Sequence, residues 1–163
     1  MNASASPPSG ISRAWVGVVL GGLVAGCFDI LYAIIANGIR GGLTPLWVLQ
    51  SVASGLLGKA AFDGGVPTGL LGLFCHFVIA MGASTLYFLA SRKLAMLRER
   101  PLLSGALFGI LVYLFMNFVV IPLSAFPFPL HYPAKRLAEG FFSHAVLIGI
   151  PIAWLQKRFS GAR

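Results

Sequence analysis

The sequence predicts an all-α membrane protein: four transmembrane helices with an additional short amphipathic helix between spans one and two. Three observations carry this. Hydrophobic residues make up 58% of the 163-residue chain and charged residues only 10%, where an ordinary globular chain is about a quarter charged. Mean hydropathy is +0.88. Four runs approach the ~20 apolar residues that a helix needs to cross a bilayer, and none alternates with the period of two of a membrane β-strand.

Residues 1–13 (MNASASPPSGISR) are small, polar and proline-containing, and predict a disordered cytoplasmic tail. Span one covers 14–36 and carries one charge, Asp29. Small residues at four-residue spacing, Gly17/Gly21 and Gly22/Gly26, allow a neighbouring backbone to approach closely. The stretch Val24-Ala25-Gly26-Cys27 has the form of a lipoprotein cleavage box, but the apolar run continues to Ala36, past the length of a signal h-region, so an uncleaved span is expected.

Thr44-Pro45 reads as an N-cap with proline at the first helical position, opening an amphipathic helix over 45–58. Leu46, Leu49, Ala53 and Leu56 share one face, and Gln50, Ser51, Ser54 and Gly58 gather on another. It is too short to span, so an interfacial or re-entrant helix is expected, packed over the bundle mouth rather than gating it. Lys59 and Asp63 are spaced as an i,i+4 pair, expected to be solvated.

Span two covers 68–90 with His76; span three covers 102–122 with Asn117 and the pair Gly105/Gly109; span four covers 140–156 with His144. Prolines 127, 129 and 133 argue against a long helix before span four. Residues 157–163 form a basic tail. Trp15, Trp47 and Trp154 fall near the interfaces, as an aromatic belt requires.

The stretch GGLVAGCFDILYAII, followed by GGLTPLWVLQSVASGLLGKAAFDGG, resembles an uncharacterised family of small bacterial inner-membrane proteins. The resemblance extends loosely through SGALFGILVYLFMNFVVIPLS. It implies a four-span membrane protein and transfers no catalytic residue.

Lys plus Arg number 12 against 4 Asp plus Glu, a net charge of +8. No basic stripe interleaves with aromatics, so nucleic acid is not an expected partner. The bases flank the spans instead. Eight lie on the side of the termini (Arg13, Arg92, Lys93, Arg98, Arg100, Lys157, Arg158, Arg163) and four on the other (Arg40, Lys59, Lys135, Arg136). The positive-inside rule then predicts a multi-pass protein of the bacterial inner membrane with both termini cytoplasmic. Cys27 and Cys75 lie in apolar runs without zinc-site spacing.

Phe74-Cys75-His76 in span two parallels Phe142-Ser143-His144 in span four, and a basic pair follows each span, a weak echo of an internal duplication.

Chemistry inside the membrane concentrates in Asp29, His76, Asn117 and His144. Asp29 and Asn117 lie seven and five residues before the outer ends of their spans, and His76 and His144 eight and four after theirs. These depths differ by about a turn, so the four form a candidate polar layer in the outer half of the bundle. Three readings of it stand side by side. The layer can be structural, its groups bonding one another and fixing helix register. It can be a proton or cation site for transport, since intramembrane ionisable groups are functional candidates by default. Or His76 and His144 can ligate a haem or hold a metal. Ser143 and His144 are neighbours in sequence and are expected on different helix faces, so no nucleophile–base pair is predicted. No GxSxG, HExxH or phosphate-loop motif occurs. The expectation is a non-enzymatic structural or accessory subunit without a resident cofactor, with a small oligomeric transporter as the alternative and haem binding behind it. The partners implied are the lipid bilayer and a second copy of the chain or a larger membrane complex.

Overall fold

The structure, a computed structural model, describes residues 10–159, with side chains from Arg13 onward. The described residues are almost entirely helical and contain no strand. Helix α1 is Gly10–Gly41, α2 is Pro45–Leu57, α3 is Gly65–Lys93 and α4 is Ala95–Glu99. The last two long helices are α5, Pro101–Leu123, and α6, Ala134–Phe159. Among the described residues, four helices, α1, α3, α5 and α6, are long and apolar enough to cross a membrane. Their outward faces are apolar: Leu31, Ile35, Leu70, Phe74, Leu107 and Leu111 are all at least half exposed and suit contact with lipid.

The helices outrun the expected spans. Helix α1 already includes residues 10–13, read from sequence as tail; the tail segment before Gly10 lies outside the described residues. Helix α6 begins at Ala134, immediately after Pro133, and runs through Lys157 and Arg158; residues 160–163 of the basic tail also lie outside the description. The added turns are polar and extend the helices beyond the apolar stretches that mark spans in a sequence. One consequence is depth. Asp29 lies twelve residues from Gly41, about 18 Å along the helix. His144 lies ten residues from Ala134, about 15 Å. Asp29 is thus nearer the Gly41 end of α1 than its start, and His144 nearer the Ala134 end of α6 than its finish, both toward the end of the bundle opposite the termini.

Helices α1 and α6 form the centre. Gly17 and Gly21 turn toward α6, where a Cβ on Gly17 would come within 3.1 Å of the Gln156 Cα. Gly22 and Gly26 turn toward α3, against Met81 and Phe77. Helix α5 lies on the far side of α6 through Gly105, Gly109 and Gly149, whose backbones leave no room for a side chain. All three pairs of small residues therefore serve packing within the chain. Helices α3 and α5 make no comparable contact with each other. A two-fold arrangement of the halves would give α3–α5 the same packing as α1–α6, so the echo between spans two and four does not extend to packing.

Three clusters lock the half of the bundle nearer the termini. Ser84 Oγ donates to the Val18 carbonyl at 2.7 Å, and Gln156 Nε2 donates to the Ser84 carbonyl at 2.7 Å and to its hydroxyl at 3.0 Å. Tyr87 reaches the Leu97 carbonyl at 2.8 Å and Ser104 Oγ at 2.9 Å, tying α3 to α4 and α5. Ala25, Tyr87, Ile148, Ile152 and Ala153 form the apolar core between them.

Helix α2 starts as its sequence predicts: Pro45 opens it and Thr44 Oγ1 accepts the Trp47 N–H at 3.1 Å. Gly42, at φ +63°, reverses the chain before it. Both of its faces pack: Ala53 is fully buried on the apolar face, and the polar face is buried as well. Gln50 and Ser54 are buried, while Leu56 is 66% exposed. The reason is local hydrogen bonding: Gln50 Nε2 donates to the Gly65 carbonyl and to Thr68 Oγ1 at the start of α3, and the Ser51 and Ser54 hydroxyls donate to carbonyls one turn back. Gly69 and Gly72 of α3 admit Leu46 and the Leu49 backbone. Lys59 falls in the 3-10 turn Gly58–Phe62, where residues four apart do not share a face, and it makes no ion pair with Asp63.

Candidate functional site

Three helical stripes and a loop line an open cavity of about 550 Å³. Helix α1 contributes Asp29, Tyr32, Ala33, Ala36, Asn37 and Arg40, spaced three and four residues apart, which places them on one face. Helix α5 adds Tyr113, Asn117 and Ile121. Helix α6 adds Arg136, Glu139, Gly140, Ser143 and His144. The α5–α6 loop closes over the top with Phe126, Phe128 and His131, and Trp47 reaches in from α2. These elements meet at the end of the bundle opposite the termini, and the cavity descends from there to Asp29. From Arg40 to Asp29 is eleven residues of α1, about 16 Å.

The structure thus brings three of the four candidate residues to one cavity. Asp29 and His144 lie at its floor; Asp29 is close enough to act electrostatically on the His144 ring. Among the described residues the Asp29 carboxylate accepts no hydrogen bond and forms no ion pair. Asn117 stands higher; its side-chain amide donates to the Tyr113 carbonyl at 3.0 Å, and its backbone carbonyl accepts the Tyr132 hydroxyl at 2.6 Å. His76 stands apart. Its Nε2 donates to the Gly26 carbonyl at 2.9 Å, stapling α3 to α1, and it does not line the cavity. The two histidines weighed as haem or metal ligands therefore face different surroundings. No group of three His, Cys, Asp or Glu side chains among the described residues is arranged to hold a metal ion.

Both cavity-lining helices α5 and α6 widen where they meet it. At Met116–Val120 and at His144–Gly149 the backbone bonds run from residue i to i−5, forming π turns that include Asn117 and His144. Each π turn ends two residues before a proline, Pro122 and Pro151. A proline ring inside a helix clashes with the carbonyl four residues back, here those of Phe118 and Leu147, and the wider turn relieves it. Mid-helix π turns gather at functional sites.

Ser143 and His144 are closer than their sequence adjacency suggests: Ser143 Oγ lies 3.3 Å from His144 Nδ1. A short hydroxyl can curl back to the next ring at the widened turn. Ser143 Oγ also reaches the Gly140 carbonyl at 3.1 Å and is 2% exposed. With its single proton directed to that carbonyl, the hydroxyl accepts from Nδ1, so His144 is not poised to take the Ser143 proton.

Several lining residues carry no signal in a span-by-span reading. Arg40 and Glu139 form an ion pair at 3.0 Å between the outer turns of α1 and α6, and Arg40 also donates to the Tyr32 hydroxyl at 3.3 Å. Trp47 belongs to an aromatic cluster with Phe62 and Phe128, at centroid distances of 5.1 and 6.1 Å, and so forms a cavity wall rather than only an interfacial anchor. Tyr113 packs edge-on to His144 at 4.9 Å. The helical spacing of the α1 and α6 stripes is the signal that could have found them. The resemblance to small inner-membrane proteins assigns none of these residues a role. The chain matches no family model, no curated protein and no solved structure.

Proposed function

We propose that the chain is a multi-pass protein of the bacterial inner membrane, with both termini cytoplasmic, that takes a small solute into this cavity from the outer side as the binding step of transport. The observation that carries the reading is the floor of the cavity: an intramembrane carboxylate, Asp29, without a hydrogen-bond partner among the described residues, facing about 550 Å³ of space. Asp29 is half-buried, and an ionisable group within a span is a functional candidate by default. A purely structural layer would have Asp29 bonded across helices, as His76 and Gln156 are. The register of the bundle is held instead by the Ser84, Gln156, Tyr87 and His76 bonds, away from the cavity. The cavity volume falls in the usual range for small-molecule sites, about 300–1,000 Å³. The eight-to-four distribution of basic residues supports the orientation. Four spans enclose little volume, so passage across the membrane calls for a second copy of the chain.

The test is a thermal-stability survey of the purified protein in detergent against amines, carboxylates and neutral solutes. At least one class raises Tm saturably in wild type and not in Ala36→Phe, which fills the cavity. A survey in which no class gives a saturable shift returns the protein to the structural or accessory role.

A further inference from the structure

The cavity's charge and wall chemistry narrow the solute, and the narrowing rests on the solute-binding reading above. Four formal charges line it. Arg40 and Glu139 neutralise each other at 3.0 Å. Arg136 is exposed, on the first turn of α6 at the rim. That leaves Asp29 as the uncompensated charge at depth, with the His144 ring beside it. An anion entering the cavity would pass Arg136 and end against a carboxylate. A cation would end against its counter-ion.

The walls point the same way. Tyr32 of α1, Tyr113 of α5 and Tyr132 of the α5–α6 loop line the sides, with Trp47, Phe126 and Phe128 beside them. Aromatic faces attract organic cations through the ring quadrupole, the more so where water is scarce. They also offer apolar area to the body of the ligand. Oxygen acceptors for an N–H remain at the carboxylate, and the amide carbonyl of Asn117 forms no hydrogen bond among the described residues. A bare metal ion does not need such walls, and its ligand set is absent among the described residues.

We infer that the cavity holds an organic ammonium ion, a protonated amine with an apolar or aromatic body, with the Asp29 carboxylate as counter-ion and the tyrosine rings as its walls. The ammonium group sits at the cavity floor beside Asp29 and the body extends toward Trp47 and the α5–α6 loop.

Three probes of matched shape and different charge test this: phenethylamine, 2-phenylethanol and phenylacetate. Binding to the purified full chain is followed by isothermal titration and by quenching of tryptophan fluorescence, Trp47 being the tryptophan on the cavity wall. Phenethylamine is expected to bind saturably, and Asp29→Asn to weaken it by at least about tenfold, with 2-phenylethanol unaffected. Equal affinity for phenethylamine and 2-phenylethanol, preference for phenylacetate, or an Asp29→Asn variant that binds the amine as wild type does would each overturn the assignment. So would failure of all three probes; the broader solute-binding reading falls only if the wider survey of solute classes is also silent. A second measurement keeps Asp29 in place should Asn prove unstable. In an Ala36→Cys, Cys27→Ser, Cys75→Ser variant, phenethylamine is expected to slow modification by a thiol reagent and phenylacetate is not. Equal protection by both, or by neither, counts against the ammonium site.

Discussion

At the scale of single residues, polar groups in this bundle divide into those that bond across helices and those that face the cavity. Ser84 belongs to the first kind: its hydroxyl bonds the α1 carbonyl of Val18 and accepts from Gln156 of α6. Ser84→Ala removes both bonds and should destabilise the protein by about 0.6–1.7 kcal/mol, the range measured for interhelical bonds in membranes. Asp29 belongs to the second kind, and Asp29→Asn should cost less stability than Ser84→Ala. Reversible unfolding in mixed micelles gives both values; an Asp29→Asn loss larger than that of Ser84→Ala would show that the carboxylate is a structural partner after all. The Arg40–Glu139 pair is partly exposed, with side chains 38% and 31% accessible. Glu139→Gln should therefore change stability by under about 1 kcal/mol.

At the scale of elements, close backbone approach decides what a glycine is worth. Gly149 of α6 lies against the α5 backbone at Gly105 and Gly109, and a Cβ there has nowhere to go. Gly149→Val should cost about 1–3 kcal/mol through overpacking, or prevent folding. Gly82 on α3 has no atom within 4 Å of where its Cβ would stand. Gly82→Ala should be neutral or stabilising by up to about 1 kcal/mol through helix propensity. Thermal melts of the two variants in one detergent compare them directly, and similar losses would mean that α5 and α6 are not packed as described. The π turn before Pro151 makes a second expectation. Pro151→Ala restores the missing N–H and removes the clash with the Leu147 carbonyl. The backbone of 144–149 should then tighten toward α geometry and turn His144 away from the cavity, visible in backbone chemical shifts and as weaker solute binding.

At the scale of the whole molecule, topology can be tested without any ligand. Reporter fusions at residue 163 and within 91–101 should behave as cytoplasmic, and a fusion near Pro127 as external. A cytoplasmic signal near Pro127 would reverse the placement of the α5–α6 loop and close the cavity to the outer side. The same arrangement predicts that a cysteine at Ala36 reacts with a membrane-impermeant thiol reagent applied from outside, while Cys27, on the outward face of α1, does not.

What could be read from sequence follows from how local each signal is. Apolar runs long enough to span, the Thr44-Pro45 cap and the four-spaced glycines are consequences of helix period and hydropathy, and the helices built on them are present. The sequence alone likewise determined that Asp29, Asn117 and His144 are polar groups within apolar helices. It did not determine that His76 bonds to α1 instead of lining the cavity, because which side a helix turns to its neighbour depends on the glycines of that neighbour; Gly26 lets α3 close enough for His76 to reach its carbonyl. Nor could it join Arg40 to Glu139, ninety-nine residues apart, or bring Trp47 from α2 and Phe128 from the α5–α6 loop to one wall. The prolines at 122 and 151 were visible, but that each opens a π turn beside a cavity residue emerges only when the backbone has a space to widen into. Helix identity is written in nearest-neighbour chemistry along the chain; the cavity is a gap between elements, and only their packing decides where a gap is left.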